Sequence, residues 1–383
     1  MDETSDIEWL RNSLWPGSED EPGSRRTISY LANPSPTDCR LLIPTASRRA
    51  AAQSVRRYHN GASTRARLVM SVTELGLRIG ASSLLSGRQV RLQWERKPGF
   101  IAAIEEGLGV SIAHVAFTLG PRRANRKPVA QLFDETGATI GFAKLGVDGY
   151  TDQLVRTEAD WLNRVARANT LALRAPRPLW AGESDVGEVS VLEPVWATRR
   201  PPRDPRRISA ALLRDVHQLT PPHTGLISDT SAFAALAIAS EPEASAALGA
   251  LNPDSLEATT TMQHGAWHGD LTPWNILTNK HGPSVIDWET AEGGMPVGLD
   301  LLNAATGAAM QLDHADPSAA LAAATERIPA MVAGLQLTPA QGRATMTTLL
   351  LEFVRRDLDL ARVGRPQSGL GAASLRRLQA IES

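Results

Sequence analysis

The stretch that most constrains this chain reads His268-Gly269-Asp270-Leu271-Thr272-Pro273-Trp274-Asn275-Ile276-Leu277, followed closely by Val285-Ile286-Asp287-Trp288-Glu289. It holds three polar groups at fixed offsets, Asp270, Asn275 and Asp287. Short apolar runs flank them and read as strands that keep a loop rigid. Any one of these residues alone would be a turn former or a helix cap, and His268 alone a packed, hydrogen-bonded histidine. Together they suit phosphoryl transfer from a metal-bound nucleotide. One carboxylate, Asp270, meets the acceptor hydroxyl, while the amide oxygen of Asn275 and the carboxylate of Asp287 hold magnesium. Magnesium is a hard cation that prefers oxygen ligands, which Asn and Asp supply.

Upstream, residues 111–119, 129–133 and 139–145 read as three strands. The last two are joined by Asp134-Glu135-Thr136-Gly137, a tight turn whose glycine supplies a positive φ. Residues 179–184 and 188–192 add two more strands, closing an expected five-stranded sheet. Between them a helix is expected around Leu154, Trp161, Leu162 and Val165, which recur at helical spacing. Strand-borne Lys144 and helix-borne Glu158 can then pair across a sheet–helix interface, where the lysine orients nucleotide phosphates and the glutamate fixes the lysine. The competing reading for each is an ordinary exposed charge.

After Glu193-Pro194-Val195 the composition shifts to a Pro- and Arg-rich run at 199–207, which marks a domain junction. An adenine hydrogen-bonded to backbone at Glu193 and Val195 would sit at such a junction. Beyond 208 the pattern is mainly helical, and residues 338–362 form its longest apolar-periodic segment.

Residues 268–275, then Ile286-Asp287-Trp288-Glu289, then Gly298-Leu299-Asp300-Leu301 together resemble the aminoglycoside phosphotransferase and choline kinase-like family. The likeness runs from about 111 to the C-terminus and is most specific at 268–300. It implies an α+β, bilobal, protein-kinase-like fold with a five-stranded antiparallel N-lobe sheet and a mostly helical C-lobe. It implies transfer of the γ-phosphate of ATP or GTP to a small-molecule hydroxyl. Residue by residue, it implies that Asp270 is the catalytic base or orienting carboxylate and that Asn275 and Asp287 are the magnesium ligands. Lys144 with Glu158 becomes the phosphate-positioning pair, and Asp300 supports the catalytic loop. Apart from the resemblance, His268, Glu193 and Val195 are further candidate cofactor contacts.

Gly269 stands where protein kinases carry an arginine, and the short span from Asp287 to Asp300 leaves no room for an activation segment. Both favour a small-molecule acceptor, and the expected class is a sugar, an amino sugar or a glycan intermediate. Loop 120–128 has one glycine where protein kinases use several. Either Arg122, Arg123, Arg126 and Lys127 meet phosphate instead, or they form a solvated hairpin tip.

The domain order expected from these readings is an acidic flexible arm at 1–26, an α/β extension at 27–109, the N-lobe at 110–195 and the helical C-lobe at 196–383. In the extension a strand is expected at 40–43 and helices at 48–58, 63–80 and 98–107. Its arginines 48, 49, 56, 57, 65 and 67 read as a solvated helix face or as a patch for an anionic partner. The formal net charge of −1 over 383 residues argues against a dedicated nucleic-acid partner. The lone Cys39, the acidic start and the lack of a membrane-length apolar run lead to the expectation of a cytoplasmic protein. Two rivals fit the same residues: a catalytically silent nucleotide-binding scaffold, and a protein kinase or nucleotidyl transferase on the same fold.

Overall fold

The computed structural model describes residues 5–14, 26–56, 64–80, 88–94, 99–123, 125–168, 172–196, 208–279 and 282–382. They fall into two compact units, Met1–Asn163 with Pro176–Arg200, and Arg164–Ala175 with Pro201–Ser383.

The first unit contains, in chain order, α1 (Asp6–Leu14), β1 (Arg26–Pro34), β2 (Cys39–Pro44), α2 (Arg48–Arg56), α3 (Thr64–Ile79), β3 (Arg88–Trp94), α4 (Gly99–Leu108), β4 (His114–Leu119), β5 (Pro128–Phe133), β6 (Thr139–Leu145), α5 (Gly149–Arg167), β7 (Pro178–Ser184) and β8 (Gly187–Leu192). The strands form one sheet in the order β3-β1-β2-β4-β5-β6-β8-β7. Every pairing in it is antiparallel. The sheet therefore has eight strands, not the expected five. Alternating apolar residues place Tyr30, Leu42, Phe117, Leu132 and Val191 in a single core cluster, which spans the extension and the five expected strands alike. The boundary expected at 109/110 is no break in this sheet, because β2 pairs with β4 through Leu41↔Thr118 and Leu42↔Phe117.

The expected acidic arm also needs correction. Within it, α1 is a helix whose Leu10 and Leu14 are 0% and 2% exposed. Burial of two leucines and of Asp6 overrides the polar composition that suggested a free arm. The β5–β6 hairpin forms as its turn chemistry predicts. Asp134 Oδ1 accepts the Ala138 N–H and the Thr136 hydroxyl, and Gly137 takes a φ of 76°. Of the arginines that suggested an anionic patch, Arg49 donates to Thr136 and Arg56 lies over the Trp196 ring. Arg57 and the side chains of Arg65 and Arg67 lie outside the described residues.

The second unit contains α6 (Ala210–His217), β9 (His223–Gly225), α7 (Ser231–Ala237), α8 (Pro242–Gly249), α9 (Leu256–Thr259), β10 (Met262–Trp267), β11 (Ile276–Asn279), β12 (Gly282–Val285), β13 (Glu292–Pro296), α10 (Leu299–Leu312), α11 (Pro317–Thr325), α12 (Ile328–Leu335), α13 (Pro339–Arg362) and α14 (Leu370–Glu382). Its strands form a three-stranded sheet, β13-β10-β9, and a two-stranded ribbon, β11-β12. Helix α13 starts at a capping box, Thr338 with Gln341, and buries residues along most of its length, from Gly342 to Leu358. The Pro- and Arg-rich run at 199–207 lies outside the described residues. Among those described, no helix is long and apolar enough to cross a membrane.

Candidate active site

Strand β10 leads into the candidate catalytic loop, which turns at Gly269 with a φ of 80°. A Cβ at Gly269 would collide with the Thr290 carbonyl and come within 2.9 Å of the Arg356 guanidinium, so only glycine fits. The N–H groups of His268 and Gly269 donate to the two carboxylate oxygens of Asp300 at 2.9 and 3.0 Å. Asp300 lies in the first turn of α10, where a helix favours negative charge. Burial nevertheless pushes its pKa up to about 6, against the pull of the two N–H groups and Arg356.

His268 is fully buried, and its ring sits edge-on to Trp288 at 4.5 Å. Nδ1 accepts the Asp270 N–H at 3.2 Å, which makes Nε2 the protonated nitrogen, and Nε2 donates to the Ile286 carbonyl at 3.0 Å. Both ring nitrogens are thus used inside the chain. This differs from the cofactor contact expected of His268. The histidine instead ties the catalytic loop to the residue that precedes Asp287.

Asp270, Asn275 and Asp287 are brought together by the β11–β12 ribbon. Ile276 pairs with Val285, and the Ile286 N–H donates to the Asn275 carbonyl at 2.9 Å. That register sets Asp287 one residue beyond the partner of Asn275. The Asn275 Nδ2 donates to the Asp270 carbonyl and to its carboxylate Oδ2, both at 2.9 Å. Asp287 has a φ of 63°, a left-handed conformation that Asp tolerates better than most residues. The Asp270 pKa is pushed up to about 7, by burial first and by the nearby Asp287 charge second, with Arg356 opposing.

These residues fit a magnesium ion. Nδ2 of Asn275 is committed to Asp270, which leaves Oδ1 as its donor atom, and Asp287 adds a carboxylate. Among the described residues no group of three or more His, Cys, Asp or Glu has metal-binding spacing. A hard cation held by one amide and one carboxylate completes its shell with phosphate and water.

Sequence reasoning missed three residues that hold this loop. Asn303 Nδ2 donates to the Gly269 carbonyl at 2.7 Å, and Arg356 Nη1 donates to the same oxygen at 3.0 Å. Arg356 also lies over the Trp267 ring and donates to Glu352, which is fully buried and takes Arg355 as well. The only signal for this was the Glu352, Arg355, Arg356 spacing of three and four along α13.

In the first unit, Lys144 Nζ donates to Glu158 Oε1 at 2.6 Å, and both side chains are buried. The exposed-charge reading is therefore wrong for both. Lys144 sits opposite Val129 in the β5–β6 ladder. The Glu193 N–H donates to the Arg177 carbonyl at 3.0 Å, so only the carbonyl of Glu193 remains for an adenine. Val195 is half-buried in the stretch that follows β8. In loop 120–127, Arg122 and Arg126 donate to the buried Asp6.

A model of the phosphotransferase enzyme family matches residues 141–335, just over half of the chain. No curated protein matches it. Solved structures similar in fold include a thermostable mutant of an aminoglycoside phosphotransferase with ADP and hygromycin B, 15% identical, with a TM-score of 0.45 over 73% of this chain and 97% of that one. A choline/ethanolamine kinase family protein from Mesorhizobium loti is 14% identical, with a TM-score of 0.43 over 74% and 92%. A spectinomycin phosphotransferase with ADP and spectinomycin is 12% identical, with a TM-score of 0.41 over 75% and 95%.

Proposed function

The chain belongs to the phosphotransferase enzyme family, and from that premise we propose that it moves the γ-phosphate of ATP or GTP to a hydroxyl of a small molecule. One observation carries this reading: Asn275 is bonded through its backbone to the residue before Asp287 and through its side chain to Asp270. A base and two hard-cation ligands then share one loop.

Asp270 accepts a hydrogen bond from the attacking hydroxyl and takes its proton late. Asn275 Oδ1 and Asp287 would hold magnesium, which would supply neutralisation of phosphate charge. Lys144, kept in place by Glu158, holds the non-transferred phosphates. The Glu193 carbonyl and the backbone at Val195 meet the adenine. Catalysis is then mainly positioning and electrostatics.

Charge gives little guidance on the acceptor. Arg355 pairs with Glu292, Glu352 and Asp359, and Arg362 pairs with Glu241 and Asp359. Asp316 caps α11. These charges are used within the chain, so neither the arginines nor the acids favour an acceptor of one sign. Sugars, amino sugars and glycan intermediates are the acceptors to screen with γ-labelled ATP and GTP. Label on a small metabolite supports the proposal. Label on protein, or transfer of AMP, contradicts it, as does nucleotide binding with no turnover on any acceptor, which favours a scaffold.

A further inference from the structure

Helix α1 makes a polar contact with loop 120–127 that none of these roles uses. Asp6 is 2% exposed. Its Oδ2 accepts the Cys39 N–H at 2.8 Å, and its Oδ1 accepts Arg126 Nη2 at 2.8 Å and Arg122 Nε at 3.1 Å. Three donors on one buried carboxylate, two of them cationic, satisfy it well. The Arg126 guanidinium also lies 4.1 Å from the centroid of the Trp9 ring. Arg122 Nη2 donates in addition to the Thr37 carbonyl at 3.2 Å. Leu10 and Leu14 belong to the same core cluster as Phe117 and Leu119, which lie on the strand that leads into the loop.

The loop itself lies next to Lys144. The β4–β5 hairpin closes with Leu119 opposite Pro128, and the next residue of β5, Val129, faces Lys144 across the ladder. A loop there needs a fixed path if its N–H groups are to meet phosphate. Glycine does not fix it: Gly120 has no positive φ, and a Cβ on it would meet nothing. Two turn bonds, from the Arg123 N–H to the Pro121 carbonyl and from the Arg126 N–H to the Arg123 carbonyl, shape the loop locally, and the ion pairs to α1 tie it to the rest of the unit.

On the nucleotide-dependent reading above, we propose that α1 is a positioning element of the nucleotide site. Asp6 and Trp9 hold Arg122 and Arg126, and through them the two arms of the loop, 120–123 and 125–127, beside the phosphates that Lys144 binds. Arg122 and Arg126 are then anchors, not the phosphate contacts that the sequence suggested. Arg126 does not swing out to phosphate, since its side chain is only 9% exposed and its departure would leave the buried Asp6 short of a cation.

The test uses the full-length protein as wild type, Asp6→Asn, Asp6→Glu and Trp9→Leu, with thermal melts to check folding. Each is titrated with magnesium ATP and with adenosine by calorimetry. Because the loop acts on phosphates, Asp6→Asn is expected to bind ATP about tenfold more weakly and adenosine unchanged. Trp9→Leu, which removes only the ring, is expected to lose about threefold for ATP alone. Asp6→Glu restores the charge and recovers most of the ATP affinity. Equal losses for ATP and adenosine would overturn the proposal, since a merely structural role predicts them. So would unchanged ATP affinity in folded Asp6→Asn. Tighter ATP binding would also overturn it, since it would make α1 a latch. If Asp6→Asn does not fold, Trp9→Leu decides by the same ATP-to-adenosine comparison. A wild type that binds no ATP ends the phosphotransfer reading and this proposal with it. A wild type that binds ATP with affinity indifferent to Asp6 and Trp9 ends this proposal alone.

Discussion

The catalytic loop at 268–289 and the loop at 120–127 are each held by a buried carboxylate, but the two carboxylates receive different donors. Asp300 takes two backbone N–H groups, from residues 32 and 31 positions away. Asp6 takes two guanidinium groups, from residues 116 and 120 positions away, and one N–H. The catalytic loop is thus shaped through its own main chain, with a glycine at φ 80° where no side chain fits. The other loop is tied to the rest of its unit through side chains, and a Cβ on its glycine would meet nothing within 4 Å. A backbone-held loop tolerates no change at its turn. A side-chain-held loop is sensitive at its distant anchor instead.

The largest expected effect breaks the comparison at its chemical end. Asp270→Ala is expected to lower turnover by about 10²- to 10⁴-fold with the melting curve intact, as for loss of a positioned general base. Phosphate transfer measured on the purified, folded variant checks this. Next comes the support behind the catalytic loop. Glu352→Ala leaves Arg355 and Arg356 without their buried partner and is expected to cost about 3–5 kcal/mol in urea unfolding.

A matched pair of glycine substitutions sharpens the contrast. Gly269→Ala forces a β-carbon into a left-handed, crowded turn and is expected to cost about 1–3 kcal/mol and to lower activity. Gly120→Ala is expected to leave stability and ATP affinity within about twofold, because nothing lies within 4 Å of the added carbon. If both substitutions were equally harmful, the distinction between the loops would be lost.

The stability–pH curve is set in part beneath the strand that feeds the catalytic loop. Burial first, then the neighbouring His264 and His223, lower the His217 pKa from 6.5 to about 4, against the pull of the Ala266 carbonyl, which favours the protonated ring. The unfolded chain therefore binds a proton that the folded one refuses. The stability this histidine contributes is complete above about pH 6.5 and declines as pH falls towards 4. His217→Gln is expected to flatten that part of the stability–pH curve, measured by urea melts across pH 4–7.

The same contrast explains what the sequence made legible. Asp270, Asn275 and Asp287 lie within one stretch whose apolar flanks predict the ribbon that joins them, so their meeting could be read directly. Lys144 and Glu158 could be paired because a strand-then-helix pattern links them over 14 residues. The helix α1 could not be placed, since its partners Arg122 and Arg126 are more than a hundred residues away and its composition is that of a free arm. The three outer strands of the sheet extend it through pairings that only tertiary structure sets. In β3 the apolar Val90 and Leu92 alternate with Arg91, a run too short and too charged to stand out. Arg356 was hidden for the same reason: its contact with Gly269 spans 87 residues.

The account stands on Asn275 and Asp287 sharing a divalent cation beside a nucleotide. The direct test is the affinity for ATP with and without manganese, a magnesium substitute visible by paramagnetic resonance, in wild type and in Asp287→Ala. The prediction is that manganese tightens ATP binding in the wild type and that Asp287→Ala keeps ATP binding but loses this gain and the bound-manganese signal. An equal manganese effect in both proteins would contradict the assignment.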